Sequence, residues 1–368
     1  MSDTCFFCAT PYQIIAAMAI TNASGKKSDL YLLPDFPRVK EYEERIRNLD
    51  LFSKVELVDS MRFESYRTKN NKILYGIGFF LNYFRVNNIV RSIVGGSQYK
   101  TIYISTHHNI GKFVCIYFLK RGAEIVYFDD GEGSYDNPLV YEAFGIERIV
   151  RSLLFGKRTV LLSKNRQLYS PDLFKSFFGD GYNVSPIENW AKDEILLDKI
   201  NLVCGYSDNA KINQKCVFLG TMPTEEYDKE GQVIYEKLVN TCAVQLGTDF
   251  VLKKHPRDKS ETAYSCNEYY NYADIPFEVI CANSDIENKV LISSGSTSVL
   301  TPKLLFDMEP TVILLNRIAA EPVDMVKRDR IISYVRNMYR DKNKFYVPES
   351  MDELCNILAL IAASYDYS

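Results

Sequence analysis

Short, β-branched apolar runs alternate with helical stretches along this chain, and no other feature constrains its fold as strongly. Thr4 to Thr10 leads into Tyr12 to Ile20, Asp29 to Leu33 into Val39 to Asn48, and Val55 to Val58 into an aromatic helical stretch. Thr101 to Ser105 then precedes a helix from about Ile110 to Arg121, and Glu124 to Phe128 runs into an acidic loop. Such alternation predicts parallel strands covered by helices. From Ser163 to Lys215 the pattern lapses into a polar stretch with Pro171, Gly179, Gly181, Pro186 and the only tryptophan, Trp190, which reads as an interdomain region. It restarts with strands at Lys215 to Leu219, Asp249 to Lys253, Phe277 to Ile280, Lys289 to Ile292 and Thr311 to Leu315, and a helix at Tyr227 to Leu246. The expected fold class is α/β, with two doubly wound Rossmann-like domains at 1–185 and 215–335 joined by 186–214. A last helix, within 336–368, is expected to pack back toward the first domain.

Composition narrows the function classes. A chain of 368 residues, 46% hydrophobic and 25% charged, is long enough for two cores. A formal charge of -3 argues against a general nucleic-acid binder, so an anionic ligand would be met locally, at clusters such as Lys253, Lys254 and Arg257. The nine cysteines are scattered and odd in number, as reduced core thiols of the cytosol would be. Cys5 and Cys8 have redox or zinc spacing, but they lie inside a strand-like run with no matching second pair. The first residues lack a basic segment and carry Asp3, Pro11 and Gln13, unlike a signal peptide or anchor. The longest apolar stretch, Ile73 to Phe84, falls short of the ~20 residues a spanning helix needs. Flanked by Lys72 and Arg85, it reads as a buried helix, with docking at a membrane surface as the alternative.

Chemistry-bearing residues gather where the predicted strands end, which is where open α/β sheets place their sites. Asp129 and Asp130 follow Tyr127-Phe128, so in extended backbone their side chains point to opposite sides and only one can face a given hydroxyl. Gly131 and Gly133 allow a sharp turn there. The acids suit a general base for an alcohol; a solvated Asp/Gly turn and divalent-metal binding with Glu132 and Asp136 are the alternatives. His255, one of three histidines, precedes Pro256, which restricts it to extended backbone. Protonated, it could donate to a departing phosphate, with Lys253 and Lys254 adding attraction; a surface turn is the bland reading. Ser293-Ser294-Gly295-Ser296-Thr297-Ser298 follows Leu291-Ile292 and offers hydroxyls and backbone N–H groups to an anion, beyond what a helix cap requires. Thr10 and Gln13 after the first strand, and Thr106, His107 and Asn109 after Ile102-Tyr103-Ile104, could bind acceptor hydroxyls or simply cap helices. No Walker loop and no Gly-x-Ser-x-Gly elbow accompanies these residues.

Taken in order, Asp129-Asp130-Gly131, His255-Pro256, and Ser294 with Ser296-Thr297 resemble the three-part signature of bacterial GT-B sialyltransferases. Thr10-Pro11-Tyr12-Gln13 and Leu219-Gly220-Thr221-Met222-Pro223 also resemble the lipooligosaccharide sialyltransferase family, which includes polysialyltransferases and is glycosyltransferase family 52-like. The resemblance implies two domains facing a central cleft, a CMP-sialic acid donor, inversion, and no metal or other cofactor. It implies that Asp129 is the general base with Asp130 supporting the loop, and that His255 assists departure of CMP. Ser294, Ser296, Thr297, Lys254 and Pro256 would hold the nucleotide, with Gly220 and Thr221 bordering it. Thr10, Gln13, Thr106, His107, Asn109 and Gly131 would meet a capsule or lipooligosaccharide acceptor glycan. Gly220-Thr221-Met222-Pro223 lacks the Gln often found after that glycine. A homodimer, peripheral membrane association and a place at the inner face of the cell membrane complete these expectations. The alternatives are a transferase using another activated sugar or polyol phosphate, a metal-dependent enzyme, and a non-catalytic nucleotide-sugar binder.

Overall fold

The computed structural model describes residues 2–58, 90–105, 109–136, 163–222, 227–258, 268–319 and 325–365, with isolated positions between these spans. The chain divides into two compact units, Met1–Val203 and Cys204–Ser368. In the first, β1 (Thr4–Cys8), α1 (Pro11–Ser24), β2 (Ser28–Leu32), α2 (Val39–Arg47), β3 (Phe52–Leu57), β4 (Thr101–Ile104), α3 (Asn109–Leu119) and β5 (Glu124–Phe128) follow one another. The single turn α4 (Gly133–Asp136), β6 (Asn165–Leu168), α5 (Pro171–Phe178), β7 (Asn183–Pro186) and α6 (Glu194–Cys204) complete it. Its strands form one seven-stranded parallel sheet in the order β3-β2-β1-β4-β5-β6-β7.

Every residue of β2 is buried, as is all of β1 beyond Thr4, and a parallel sheet covered on both faces demands such uninterrupted apolar runs. α1 begins where Thr10 Oγ1 accepts the Gln13 N–H at 3.2 Å with Pro11 in the first turn, and it stops at Gly25, whose φ of 62° an L side chain would strain. Phe7, Tyr31, Ile102, Phe118 and Tyr127 meet in its core, each large side chain contributing ~2–3 kcal/mol on burial. Strand order reverses between β1 and β4, which puts Ala9-Thr10 and Ser105 at the switch point where such sheets bind ligands.

The second unit holds β8 (Cys216–Leu219), α7 (Lys229–Leu246), β9 (Phe250–Lys253), α8 (Phe277–Asn283), β10 (Val290–Ser293), α9 (Thr301–Phe306), β11 (Thr311–Leu314), α10 (Met325–Met338), β12 (Phe345–Tyr346) and α11 (Met351–Tyr365). Its five-stranded parallel sheet has the order β12-β11-β10-β8-β9, with the switch point between β10 and β8. The Gly220-Thr221 and Ser293-Ser294 turns leave the sheet there.

Three sequence expectations change. The stretch from Ser163 contains β6 and β7, which extend the first sheet; their polar residues fit strands near an edge, where one face stays wet. Phe277 to Ile280 forms the start of α8 rather than a strand, a short apolar run being ambiguous until packing buries it all round. The last helix was expected to pack toward the first domain; the partner observed is α7, with Leu354, Ile357, Leu358 and Ile361 in the second unit's core. Cys5 and Cys8 are free and fully buried in β1, and burial raises both thiols well above their ordinary value. Among the described residues no helix is long and apolar enough to cross a membrane; Ile73 to Phe84 lies outside them.

Candidate active site

The acidic turn of the first unit holds two carboxylates in contrasting surroundings. Asp129, one residue past β5, is fully buried. Its Oδ1 accepts from Tyr12 Oη at 3.1 Å and from the Gly131 N–H at 2.9 Å, and its Oδ2 accepts from the Tyr169 N–H at 3.0 Å and from Tyr135 Oη. Tyr135 Oη in turn accepts the Ser170 N–H at 3.1 Å. Burial raises the Asp129 carboxyl above its usual range while these four donors pull it back. The carboxylate thus joins the N-terminus of α1 and the turns after β5 and β6, and four donors fill its usual lone-pair sites.

Asp130 meets a different set of groups, Thr10 and Gln13 at the start of α1, and is partly exposed. Burial pushes its carboxyl up to about 7; hydrogen bonding to Gln13 and Thr10 opposes this, and the neighbouring Asp129 adds to it. Its own N–H goes to Ser134 Oγ at 2.8 Å, and Gly131 turns the chain at φ 86°. Gln13 is 1% exposed, and its Oε1 takes the Ala9 N–H at 2.6 Å. Gln13 was expected to bind an acceptor hydroxyl; it instead braces Asp130, its amide being spent within the protein. Thr10 shares that duty while capping α1. Thr106 and His107 lie outside the described residues, and Asn109 opens α3.

In the second unit the turns after β8, β9 and β10 adjoin. Gly220 donates its N–H to Lys253 O at 2.9 Å, and an added Cβ would stand 3.1 Å from Tyr235 Oη and 3.3 Å from Lys253 O, a tight fit that would make both neighbours give by a few tenths of an ångström. Lys253 and Lys254 diverge. Lys254 lies 5.6 Å from the rings of Tyr264 and Tyr269. Lys253 is buried, donates to Ala273 O at 2.8 Å, and is lowered by burial to about 8, with Glu278 and Asp274 resisting. It therefore anchors the segment before α8 instead of attracting a ligand. Between about pH 8 and the ordinary lysine value the unfolded chain binds a proton the folded chain has released, so this group makes stability rise with pH there. Lys253→Met should abolish that increment, seen as a smaller difference between urea midpoints at pH 7 and pH 10 than wild type shows.

His255 is lowered to about 4, chiefly by burial and then by Arg257 and Lys253. Its Nδ1 accepts the Arg257 N–H at 3.2 Å, so the neutral ring carries its proton on Nε2. The resting imidazole is therefore neutral, chiefly because it is buried and secondly because Arg257 and Lys253 lie beside it, so the protonated form that the sequence allowed is not the resting one.

The serine loop is more self-contained than expected. Ser293 Oγ donates to Leu219 O at 2.8 Å and accepts the N–H groups of Gly295 and Ser296 at 3.3 and 2.9 Å, while Ser296 Oγ accepts that of Ser298 at 3.3 Å. Ser294 is fully buried and accepts from Tyr227 Oη at 3.3 Å; Ser296 is partly exposed, and Thr297 opens the short 3₁₀ turn that follows. Sequence reasoning missed Arg328 of α10, 6% exposed, whose Nη2 donates to Gly295 O and brings a guanidinium to the loop. It also missed Tyr135 and Tyr169; only their phenolic and turn-forming character hinted at a role.

No curated protein matches the sequence. Among solved structures, the UDP-GlcNAc 2-epimerase from Neisseria meningitidis bound to UDP-GlcNAc superposes with a TM-score of 0.52 at 10% identity, over 99% of this chain and 92% of that one. The glycotransferase of kitacinnamycin gives 0.53 at 10% identity, over 99% and 90%. Both likenesses carry the fold, the GT-B architecture of glycosyltransferases and epimerases. The family model for Alpha-2,8-polysialyltransferase (POLYST) matches residues 4–315, which takes in the acidic turn, His255-Pro256 and the serine loop. With that match over most of its length, and on this fold, the chain belongs to the alpha-2,8-polysialyltransferase family and is a glycosyltransferase of the sialyltransferase type.

Proposed function

We propose that the protein transfers sialic acid from CMP-sialic acid to a sugar hydroxyl of a capsule or lipooligosaccharide glycan, with inversion and without a metal, at the cytoplasmic side of the membrane. The observation that carries this reading is the Asp130 carboxyl, partly exposed, braced by Gln13 and Thr10, and poised near neutral pH. A general base works best with such a value, since it is both available and basic enough. Asp130 takes the proton of the acceptor alcohol as its oxygen attacks the anomeric carbon. The C–O bond to the phosphate breaks in the same displacement, its electron pair leaving with CMP, and the configuration inverts.

Asp129, saturated by its four donors, shapes the turn rather than accepting the proton. In the second unit the Nε2–H of neutral His255 donates to the leaving phosphate, and Lys254, Ser296 and Arg328 supply the local positive and polar field an anion needs. Gly220 and Thr221 border the nucleotide. The deciding experiment incubates the protein and an oligosialic acid acceptor with a panel of CMP-, UDP- and GDP-sugars in EDTA and identifies the nucleotide released. CMP release from CMP-sialic acid alone is the expected result, with kcat for His255→Ala lower by ~10²–10³, the worth of one preorganised donor. Release of UDP from a UDP-sugar would overturn the donor, and loss of activity in EDTA would overturn the metal-free mechanism.

A further inference from the structure

We propose that the Asn316 carboxamide is a ligand-recognition group of the second unit, taking either the adjacent donor and acceptor of a pyrimidine edge or one polar atom of an N-acyl group, carried by the anion at the serine loop. The inference rests on the nucleotide-binding reading above. β11 and β10 pair with Leu314 opposite Ser293, and the Leu315 N–H donates to Ser293 O at 2.8 Å, so Asn316 leaves β11 beside the strand that leads into the serine loop. It is 1% exposed, yet neither Oδ1 nor Nδ2 has a hydrogen-bond partner. A buried amide left wholly unpaired is costly and rare in folded proteins, so this one marks a place for something to bind.

Several hydrogen bonds tie the setting together. Leu315 O accepts the Ile318 and Ala319 N–H groups at 3.0 and 2.8 Å, Arg317 Nη2 meets Asp329 Oδ2 at 2.8 Å, and Arg328, next along α10, reaches Gly295 O. Consecutive residues of α10 thus fasten the Asn316 turn and the serine loop together. A second buried polar atom without a partner, Thr221 Oγ1, follows β8 on the other side of β10. Two strand spacings, roughly 10 Å, separate the two turns, a span suited to a nucleotide lying across the loop. A carboxamide offers a donor and an acceptor side by side, which matches both atoms of a pyrimidine edge or one atom of an N-acyl group and gives a phosphate nothing specific.

The test titrates the full chain with CMP, UMP, N-acetylneuraminic acid and inorganic phosphate by calorimetry, for wild type, Asn316→Leu and Asn316→Asp, alongside melting curves without ligand. Asn316→Leu should melt no lower than wild type, since it removes an unpaired polar group, and should bind the recognised ligand at least tenfold more weakly while phosphate affinity stays unchanged. Loss confined to CMP and UMP assigns the pyrimidine; loss confined to N-acetylneuraminic acid assigns the acyl amide. Asn316→Asp keeps the side-chain shape and should lose affinity for the same ligand even where the leucine variant fails to fold. Wild-type affinity for all four ligands in both variants would overturn the inference, leaving the carboxamide to a buried water. Failure of wild type to bind any nucleotide would instead overturn the donor-site reading on which it stands.

Discussion

Asp130→Asn is expected to lower kcat by ~10²–10⁴, the usual worth of a positioned base, while raising the melting temperature at pH 8. Both effects come from one displaced carboxyl. Its value of about 7 lies well above the ordinary 3.8, so between pH 4 and pH 7 the folded protein holds a proton the unfolded chain has released. Stability contributed by the neutral acid is therefore complete at low pH and declines as pH rises, reaching a cost of order 4 kcal/mol above pH 7. An amide at this position escapes that cost and keeps the shape. Activity runs the opposite way, because only the ionised form accepts a proton; kcat/KM should climb through an apparent value near 7 and level off. His255, already neutral above about 4, adds no falling limb when it donates from a neutral ring. A rate profile for Asp130→Asn that retains the wild-type rise would refute the assignment.

Asp129→Ala should act in the other direction on stability. Four donors converge on this carboxylate, and removing it strands the Tyr135 hydroxyl and the Tyr169 N–H in a buried place. Leaving a buried donor without an acceptor costs ~1–3 kcal/mol, so two of them, at about 2–4 °C per kcal/mol for a unit of this size, lower the melting temperature by roughly 10 °C. Activity falls as well, since Asp130 hangs on the same turn. The two aspartates are thereby separable: both variants lose turnover, but calorimetry should show one more stable than wild type and the other much less. Equal melting temperatures for the two would refute the division of labour.

The strands buried on both faces were readable because burial there leaves no polar interruption, as in β1, β2 and β10. β6 and β7 were not, since Asn165, Gln167 and Asn183 sit where the sheet meets water and carry loop-like composition. The family resemblance located the acid pair and His255-Pro256, and the match over 4–315 bears out that recognition. What adjacent letters could not convey is which aspartate is sealed. That depends on Tyr12, 117 residues earlier, and Tyr169, 40 residues later, meeting Asp129 only once the sheet has formed. The depressed value of His255 had the same origin, as burial and the lie of Lys253 and Arg257 are properties of the folded turn. Arg328 and Asn316 belong to no short motif: the pairing of β11 with β10 sets Asn316 next to the strand before the serine loop, and α10 brings Arg328 to Gly295 O.

Ser105 Oγ grips both the N–H and the C=O of Phe128, so the exit of β4 is riveted to the residue just before the acidic turn. A change at this one serine would thus be felt at Asp129 and Asp130, two loops' worth of hydrogen bonds hanging from a hydroxyl that touches neither carboxyl.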